Sequence, residues 1–218
     1  MRDVNVLMVG VGGQGVIVAS DAMAEIGVNN GYDVKKSDSL GMAQRGGSVV
    51  SHVRWGKHVF SPMIKKGDVD FLLGFEQLEA ARWASYLKPD GIVIVADVVI
   101  VPISVIGSTI PYPSWDEVKG ILAQYTDETY LIPANRIGRE VGNPRALNMV
   151  MLGSLSVFLE LETEAWIEDI RLRLPPRFVE SSLKAFSQGA AEAKAMRLSR
   201  MARAGLARNV KKETRLQL

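Results

Sequence analysis

Apolar residues fall into short runs cut by glycine-rich breaks in the first two thirds of the chain, and into helical spacing in the last third. Residues 5–9 (Asn-Val-Leu-Met-Val) form a run that suits a buried parallel strand. Gly10 to Gly15 breaks it, and Val16 to Ile26 then carries small and apolar residues at helical spacing. Asp33 to Lys36 predicts a second strand, and Ser37 to Gly47, polar and glycine-rich, predicts a loop. Val49 to Arg54 alternates, Trp55-Gly56-Lys57 reads as a turn, and His58 to Pro62 returns, which predicts a hairpin. Val69 to Phe75 and Ile92 to Ala96 predict two more buried strands. An amphipathic helix over Glu76 to Leu87 joins them, stopped by Lys88-Pro89-Asp90-Gly91. Val98 to Pro113 is extended and punctuated by proline. Ser114 with Glu117 three residues on predicts a capping box opening a helix to about Gln124, and Thr129 to Ile132 a last short strand. From Pro133 the pattern is helical, with breaks near Gly142-Asn143-Pro144, Thr163 and Pro175-Pro176.

Strands alternating with helices predict an α/β fold: a three-layer, Rossmann-like, mainly parallel sheet with an inserted hairpin and C-terminal helices. The expected organisation is one domain over residues 1–189 and a basic helical tail over 190–218.

Composition narrows the chemistry. The 218 residues are 47% apolar and 23% charged, enough for a sizeable core. There is no cysteine, which removes disulfides, thiolate nucleophiles and cysteine-ligated iron–sulfur clusters together. Any metal used in electron transfer is expected on another chain. The N-terminus predicts no export signal. Gly91 to Ile110 has the length of a membrane span, but Asp97, Pro102 and a density of Val and Ile predict a buried strand and a loop. The expectation is a cytoplasmic protein with no membrane contact. Net charge is +2, yet the tail holds eight Lys and Arg against Glu192 and Glu213 and leaves the body at −4. A nucleic-acid-binding domain carries its positive charge on the folded face, so no nucleic-acid partner is expected.

The break after the first strand contains G-x-G-x-x-G at Gly10, Gly12 and Gly15, with Gly13 and Gln14 between them. Such a strand–loop–helix junction cradles anions: glycines let backbone N–H groups approach, and the helix start adds partial positive charge. A nicotinamide site needs, in addition, an acidic residue ending the second strand to hold the ribose hydroxyls. Here that strand ends Val34-Lys35-Lys36-Ser37, with Asp33 at its start and Asp38 past its expected end. Lys35 and Lys36 could suit a 2′-phosphate. The plainer alternative is a loop that only packs strand on helix.

A second glycine loop follows, Gly41-Met42-Ala43-Gln44-Arg45-Gly46-Gly47. Arg45 beside Gln44, with glycines freeing the backbone, can offer a guanidinium and several N–H groups to a carboxylate or phosphate. The alternative is a flexible turn with a solvated arginine.

The two loops together resemble the gamma-type subunits of the pyruvate/2-ketoacid:ferredoxin oxidoreductases, most of all the beta subunits of the indolepyruvate:ferredoxin oxidoreductases. The likeness continues through Ser51-x-Val53-Arg54, Pro111-Tyr112-Pro113, Ile132-Pro133-Ala134, Gly142-Asn143 and Asn148-Met149-Val150-Met151-Leu152-Gly153. It covers roughly residues 3–190, leaving the tail outside. The resemblance implies an accessory subunit of a thiamine-dependent enzyme that oxidatively decarboxylates indolepyruvate or another aryl 2-oxoacid to its acyl-coenzyme A. Thiamine diphosphate, Mg and the iron–sulfur clusters would sit on a partner alpha subunit, with ferredoxin reached through the complex and coenzyme A as co-substrate. Neither a thiamine–magnesium motif nor a cysteine is present in this chain, so no cofactor is expected on it alone, and no catalytic residue is assigned. Gly10, Gly12, Gly13, Gln14, Gly15, Gly41, Gln44, Arg45, Gly46 and Gly47 are the candidate cofactor-binding residues. They would face coenzyme A phosphate, thiamine diphosphate at an interface, or the partner's backbone. The rival readings are a free-standing NAD(P)- or flavin-dependent reductase and a purely structural domain.

Other constellations are discounted. His52 and His58 are expected on the surface of the hairpin with no third metal ligand. Glu76 and Glu79 are expected on a solvated helix face, although they follow a strand end. Asp97 is expected to make a loop hydrogen bond, and Trp83, Trp115 and Trp166 to pack within helices. The basic tail is expected to be a solvated helix or a docking arm for the partner subunit.

Overall fold

The computed structural model describes the backbone of residues 3–40, 46–101, 111–143 and 146–216, with side chains to residue 203, Leu40 excepted. Among these residues six strands form one sheet: β1 (Val4–Val11), β2 (Asp33–Leu40), β3 (Ser48–Gly56), β4 (Val69–Gly74), β5 (Leu87–Ala96) and β6 (Thr129–Ile132). Their order is β2-β3-β1-β4-β5-β6. Pairings β1–β4, β4–β5 and β5–β6 are parallel, whereas β3 runs antiparallel to both β1 and β2. The sheet is therefore mixed, three parallel pairings to two antiparallel.

Among the described residues seven α-helices cover it: α1 (Val16–Asn29), α2 (Gln77–Trp83), α3 (Trp115–Leu122), α4 (Ala134–Glu140), α5 (Leu147–Ser156), α6 (Thr163–Arg173) and α7 (Pro176–Leu216). Alternation along β1 sorts them into layers. Val4, Val6 and Met8 face one core with α1, α4, α5, α6 and α7, and Leu7 and Val9 face the other with α2 and α3. This is the expected three-layer α/β arrangement.

Three details differ from the expected elements. The hairpin exists, but it is β2 with β3, and its connection is the second glycine loop; residues 58–62 form no strand. The apolar run of β3 found a better partner in β1, which buries both of its faces. The second strand also runs through Leu40, so Asp38 lies inside it, where it accepts from Ser51 and pairs with Lys36. Lys88 to Asp90 belongs to β5 rather than to a helix stop, with Asp90 at φ 64° marking an irregular stretch between Val69 and Phe71 of the neighbouring strand. The capping box of Ser114 and Glu117 and the strand at Thr129–Ile132 stand as expected.

The helices α5 and α7 pack closer than side chains permit. A Cβ on Gly153 would stand 2.0 Å from the Phe186 carbonyl oxygen, and one on Gly189 would stand 2.1 Å from that of Val150. The 41-residue α7 crosses residue 190 without interruption and passes Gly205 as helix. Among the described residues no helix is long and apolar enough to cross a membrane.

Candidate functional site

In a parallel α/β sheet, ligands collect beyond the C-terminal strand ends, where the strand order reverses. Here that point lies at the ends of β1 and β4. Gly10 stays within β1, and what requires glycine there is close approach. A Cβ would stand 2.8 Å from both the Phe75 Cβ and the Gln14 Oε1. The turn itself is made by Gly13, at φ 102°, and by Gly15, which caps α1 at φ 81°. These are left-handed conformations that glycine adopts at no steric cost.

Gln14 is committed to the fold. Its Oε1 accepts from the Val11 amide at 2.7 Å, and its Nε2 donates to the Phe75 carbonyl at 2.8 Å. Gly12 is committed too, its amide donating to the Gly47 carbonyl at 2.8 Å. That bond joins the two glycine loops. Gly13 is left as the open position, with empty space where its Cβ would be and no partner for its amide among the described residues. The first turn of α1 carries no acidic residue and no side-chain cap. Gly41, Gln44 and Arg45 lie outside the described residues; Gly46, at φ 83°, and Gly47 begin the return into β3.

A cavity of about 360 Å³ opens beside Gly13 and Gln14 and is lined also by Val98, Asn135, Arg139 and Leu147. The volume lies in the range of small-molecule sites. Arg139 is exposed, and its guanidinium has no hydrogen-bond or ion-pair partner among the described residues. Its neighbour Arg136, by contrast, pairs with Glu140 and Glu192. Asn148, in the first turn of α5, lies against Gly15. Asn135 is held by Asp97, which accepts its backbone amide at 2.9 Å, as expected of Asp97. An open amide, a helix start and an uncompensated guanidinium on one cavity suit a phosphate or carboxylate. Arg139 and Asn135 escaped the sequence reading because they sit on α4, more than 100 residues from the glycine loop; no local pattern marks them.

A second cavity of about 170 Å³ lies across Val11 and Gly46, walled by Glu76, Glu79 and Arg82. The expected solvated face is not found. Glu76 is 1% exposed and Glu79 4%. Glu76 caps α2 by accepting from the Glu79 amide at 2.9 Å, accepts from the Ile100 amide at 3.2 Å, and takes the Tyr112 hydroxyl. Burial and the Glu76 carboxylate push the Tyr112 phenol above its ordinary pKa. Glu79 accepts from Ser48 at 2.6 Å and from Arg82 at 2.7 Å. A carboxylate gains these partners only by leaving the solvent, which helical spacing alone does not reveal.

His52 is also corrected: it is 3% exposed on β3, its ring meets Tyr86 edge-on, and its Nδ1 accepts from the Ile64 amide at 3.2 Å. Burial lowers its pKa. His58 is exposed as expected, and Trp83, Trp115 and Trp166 pack in or beside helices, Trp166 completely. No group of three metal-ligating side chains exists among the described residues.

The nicotinamide reading fails on topology. Strand β3 stands between β1 and β2, so Asp38 is displaced by one further strand, about 5 Å, from the place an acidic ribose ligand needs, and its carboxylate is already paired.

Fold and cleft thus define an α/β domain with a glycine-lined cavity at the switch point, no cysteine, and no cluster of metal-ligating side chains among the described residues. The chain belongs to the pyruvate ferredoxin/flavodoxin oxidoreductase family, which matches residues 5–192. It is 36% identical over 199 residues to indolepyruvate oxidoreductase subunit IorB of Pyrococcus horikoshii, covering 90% of this chain and 98% of that one. It is 36% identical over 187 residues to the IorB subunit of Methanothermobacter thermautotrophicus, covering 85% and 95%. The solved gamma subunit of a keto/oxoacid ferredoxin oxidoreductase from Geobacter sulfurreducens superposes with a TM-score of 0.65 at 25% identity, covering 88% of this chain and 99% of that one. The chain is accordingly an accessory subunit of a 2-oxoacid:ferredoxin oxidoreductase, an enzyme that works as a complex.

Proposed function

We propose that this subunit serves an indolepyruvate:ferredoxin oxidoreductase. The observation that carries this reading is identity over nearly the full length of relatives named for indolepyruvate. The 2-oxoacid loses CO₂, its two electrons pass to ferredoxin, and the acyl group leaves as the coenzyme A thioester. Thiamine diphosphate, Mg and the clusters belong to the partner alpha subunit, because this chain has no cysteine and no thiamine–magnesium motif. The complex works in the cytoplasm, and residues 1–189 are the unit that joins it.

In this reading the open Gly13 amide, the start of α1, Arg139 and Asn135 hold a phosphate or carboxylate borne by coenzyme A or by a cofactor at the subunit interface. Gly10, Gln14 and Gly15 shape that cradle, the bond from Gly12 ties Gly47 to it, and Gly41, Gln44, Arg45 and Gly46 are proposed to contribute to the same ligand.

The test is co-expression with an alpha-type chain of an indolepyruvate oxidoreductase from the same genome, followed by ferredoxin reduction with coenzyme A and indolepyruvate, pyruvate or 2-oxoglutarate in turn. The expected outcome is a kcat/KM at least 10-fold higher for indolepyruvate. Equal or higher turnover of an aliphatic oxoacid overturns the substrate, and tight NADH or NADPH binding by the isolated chain restores the free-standing reductase.

A further inference from the structure

Two cavities lie beyond the strand ends, and one strip of chain is common to them. Ile100 lines both the cavity of about 360 Å³ at Gly13 and Arg139 and the cavity of about 170 Å³ at Glu76 and Glu79. Val98 joins it on the first and Val101 on the second; Glu76 lines only the second. Val98 and Ile100 are half-buried, whereas Val99 is 47% exposed and Val101 41%, the alternation of an extended segment.

The strip is fastened along its length. Asp97, where it leaves β5, donates its amide to the Ile132 carbonyl at 2.9 Å. The Asp97 carboxylate and carbonyl accept from the Asn135 amide and side chain, each at 2.9 Å. The Val98 carbonyl accepts from the Gln77 amide at 3.2 Å. Beyond Val98, the strip's one hydrogen bond among the described residues runs from the Ile100 amide to Glu76 Oε1, at 3.2 Å.

Capping α2 does not account for this carboxylate. An N-cap needs one short acceptor, for which Ser, Thr, Asp or Asn suffices. Glu76 caps with Oε2, which accepts from the Glu79 amide at 2.9 Å, and its other oxygen takes the Ile100 amide and the Tyr112 hydroxyl. That hydroxyl in turn accepts from the Leu78 amide at 3.2 Å, so Tyr112 is tied to the same turn of α2. A carboxylate that is 1% exposed is costly unless its oxygens are filled. The donors here come from α2, from the strip and from Tyr112, and withdrawing one leaves a buried acceptor short. Glu76 thereby favours a single position of the strip.

We infer that Glu76 is a positioning residue for the ligand cavity: through the Ile100 amide it fixes the wall that this cavity shares with its neighbour, and so sets the space open to a phosphate-bearing ligand. The carboxylate acts through Ile100 and touches no ligand. The inference rests on the proposed function for what that ligand is.

The test is ferredoxin reduction by the assembled enzyme, with coenzyme A and thiamine diphosphate varied in turn, in Arg139→Ala, Glu76→Gln, Ile100→Ala, Glu79→Gln and the double variant Glu76→Gln/Arg139→Ala. Arg139→Ala identifies the ligand by which of the two half-saturation constants it raises. Glu76→Gln and Ile100→Ala are expected to raise that same constant by about 5-fold or more, with kcat within about twofold of wild type. The double variant raises it by less than the product of the two single changes, because both act on one cavity. Glu79→Gln leaves it unchanged: Glu79 is as buried and on the same turn, but bonds Ser48 and Arg82 rather than the strip. Ile100→Ala, which keeps the Glu76 carboxylate in place, decides the matter if Glu76→Gln fails to assemble. A raised constant in Arg139→Ala with none in Glu76→Gln or Ile100→Ala overturns this inference alone. So does an equal rise in Glu79→Gln, or a double variant that is simply multiplicative. If Arg139→Ala moves neither constant, the assignment of the cavity falls and takes this inference with it.

Discussion

The amide nitrogen of Gly12 lies 2.8 Å from the carbonyl oxygen of Gly47 and donates to it. Through this bond the turn after β1 is tied to Gly47 at the entry to β3. The bond also decides which amide remains for a ligand: Gly12 is used, Gly13 is open. Gly13 and Arg139 line one cavity, and in the proposed function it is there that backbone and side chain together hold an anion.

Arg139→Ala in the assembled enzyme is expected to raise KM for the phosphate-bearing substrate by about 10- to 100-fold, the range of a charge-assisted hydrogen bond worth about 1.5–3 kcal/mol. kcat stays close to wild type, since the guanidinium binds rather than reacts. Arg139→Lys recovers part of the loss. Steady-state kinetics with varied coenzyme A measure both, and an unchanged KM removes Arg139 from the site.

Gln14→Ala is expected to destabilise the chain by about 2–3 kcal/mol, because it orphans the Val11 amide and the Phe75 carbonyl at once. Gln14→Glu retains the acceptor and loses the donor, so it costs less in stability while placing a negative charge beside the cradle. Urea denaturation separates the two.

Gly153→Ala and Gly189→Ala are each expected to cost at least about 3 kcal/mol, since the added methyl would meet a carbonyl oxygen of the opposite helix rather than a movable side chain. The double variant is less than additive, because the first substitution already parts α5 from α7. Thermal or urea unfolding of the four proteins tests both statements.

Stability is expected to fall as pH drops below about 6.5, the ordinary histidine value, in proportion to the depression of His52. The sign follows from burial. The folded state holds His52 neutral, so the unfolded chain binds the proton first, and acid favours unfolding, with a slope of at most about 1.4 kcal/mol per pH unit. His52→Asn, which keeps an acceptor for the Ile64 amide, removes that slope. Urea midpoints between pH 5 and 8 measure it.

Glu76→Gln and Tyr112→Phe are expected to show a coupling of about 1–3 kcal/mol in a double-mutant cycle, since the half-buried Tyr112 hydroxyl donates to the buried Glu76 carboxylate. Glu76→Gln weakens the hold on Ile100, whereas Tyr112→Phe removes the hydroxyl that donates to Glu76 and accepts from the Leu78 amide.

Local chemistry was legible wherever neighbours in sequence supply it. The glycine cradle, the Ser114 cap, the strand at Thr129–Ile132 and the layered α/β class all follow from spacing and from residue types that dictate backbone conformation. Strand pairing was not legible. The valines of β3 read equally well as half of a hairpin with residues 58–62, and only packing against β1 chooses between them. Burial of Glu76, Glu79 and His52 was missed for the same reason: each is paid for by partners far along the chain, Tyr112, Ser48 and Ile64.

By itself, then, the sequence determined the class of fold, the place of the glycine turn between β1 and α1 and the absence of any cysteine to carry a cluster, because these depend on backbone freedom and residue inventory. Tertiary structure alone decided that β3 separates β1 from β2, that Gly12 is spent on Gly47 and Gln14 on Phe75, and that Arg139 lines the same cavity as Gly13. Those facts are distances between residues remote in sequence, and only the packed chain sets them.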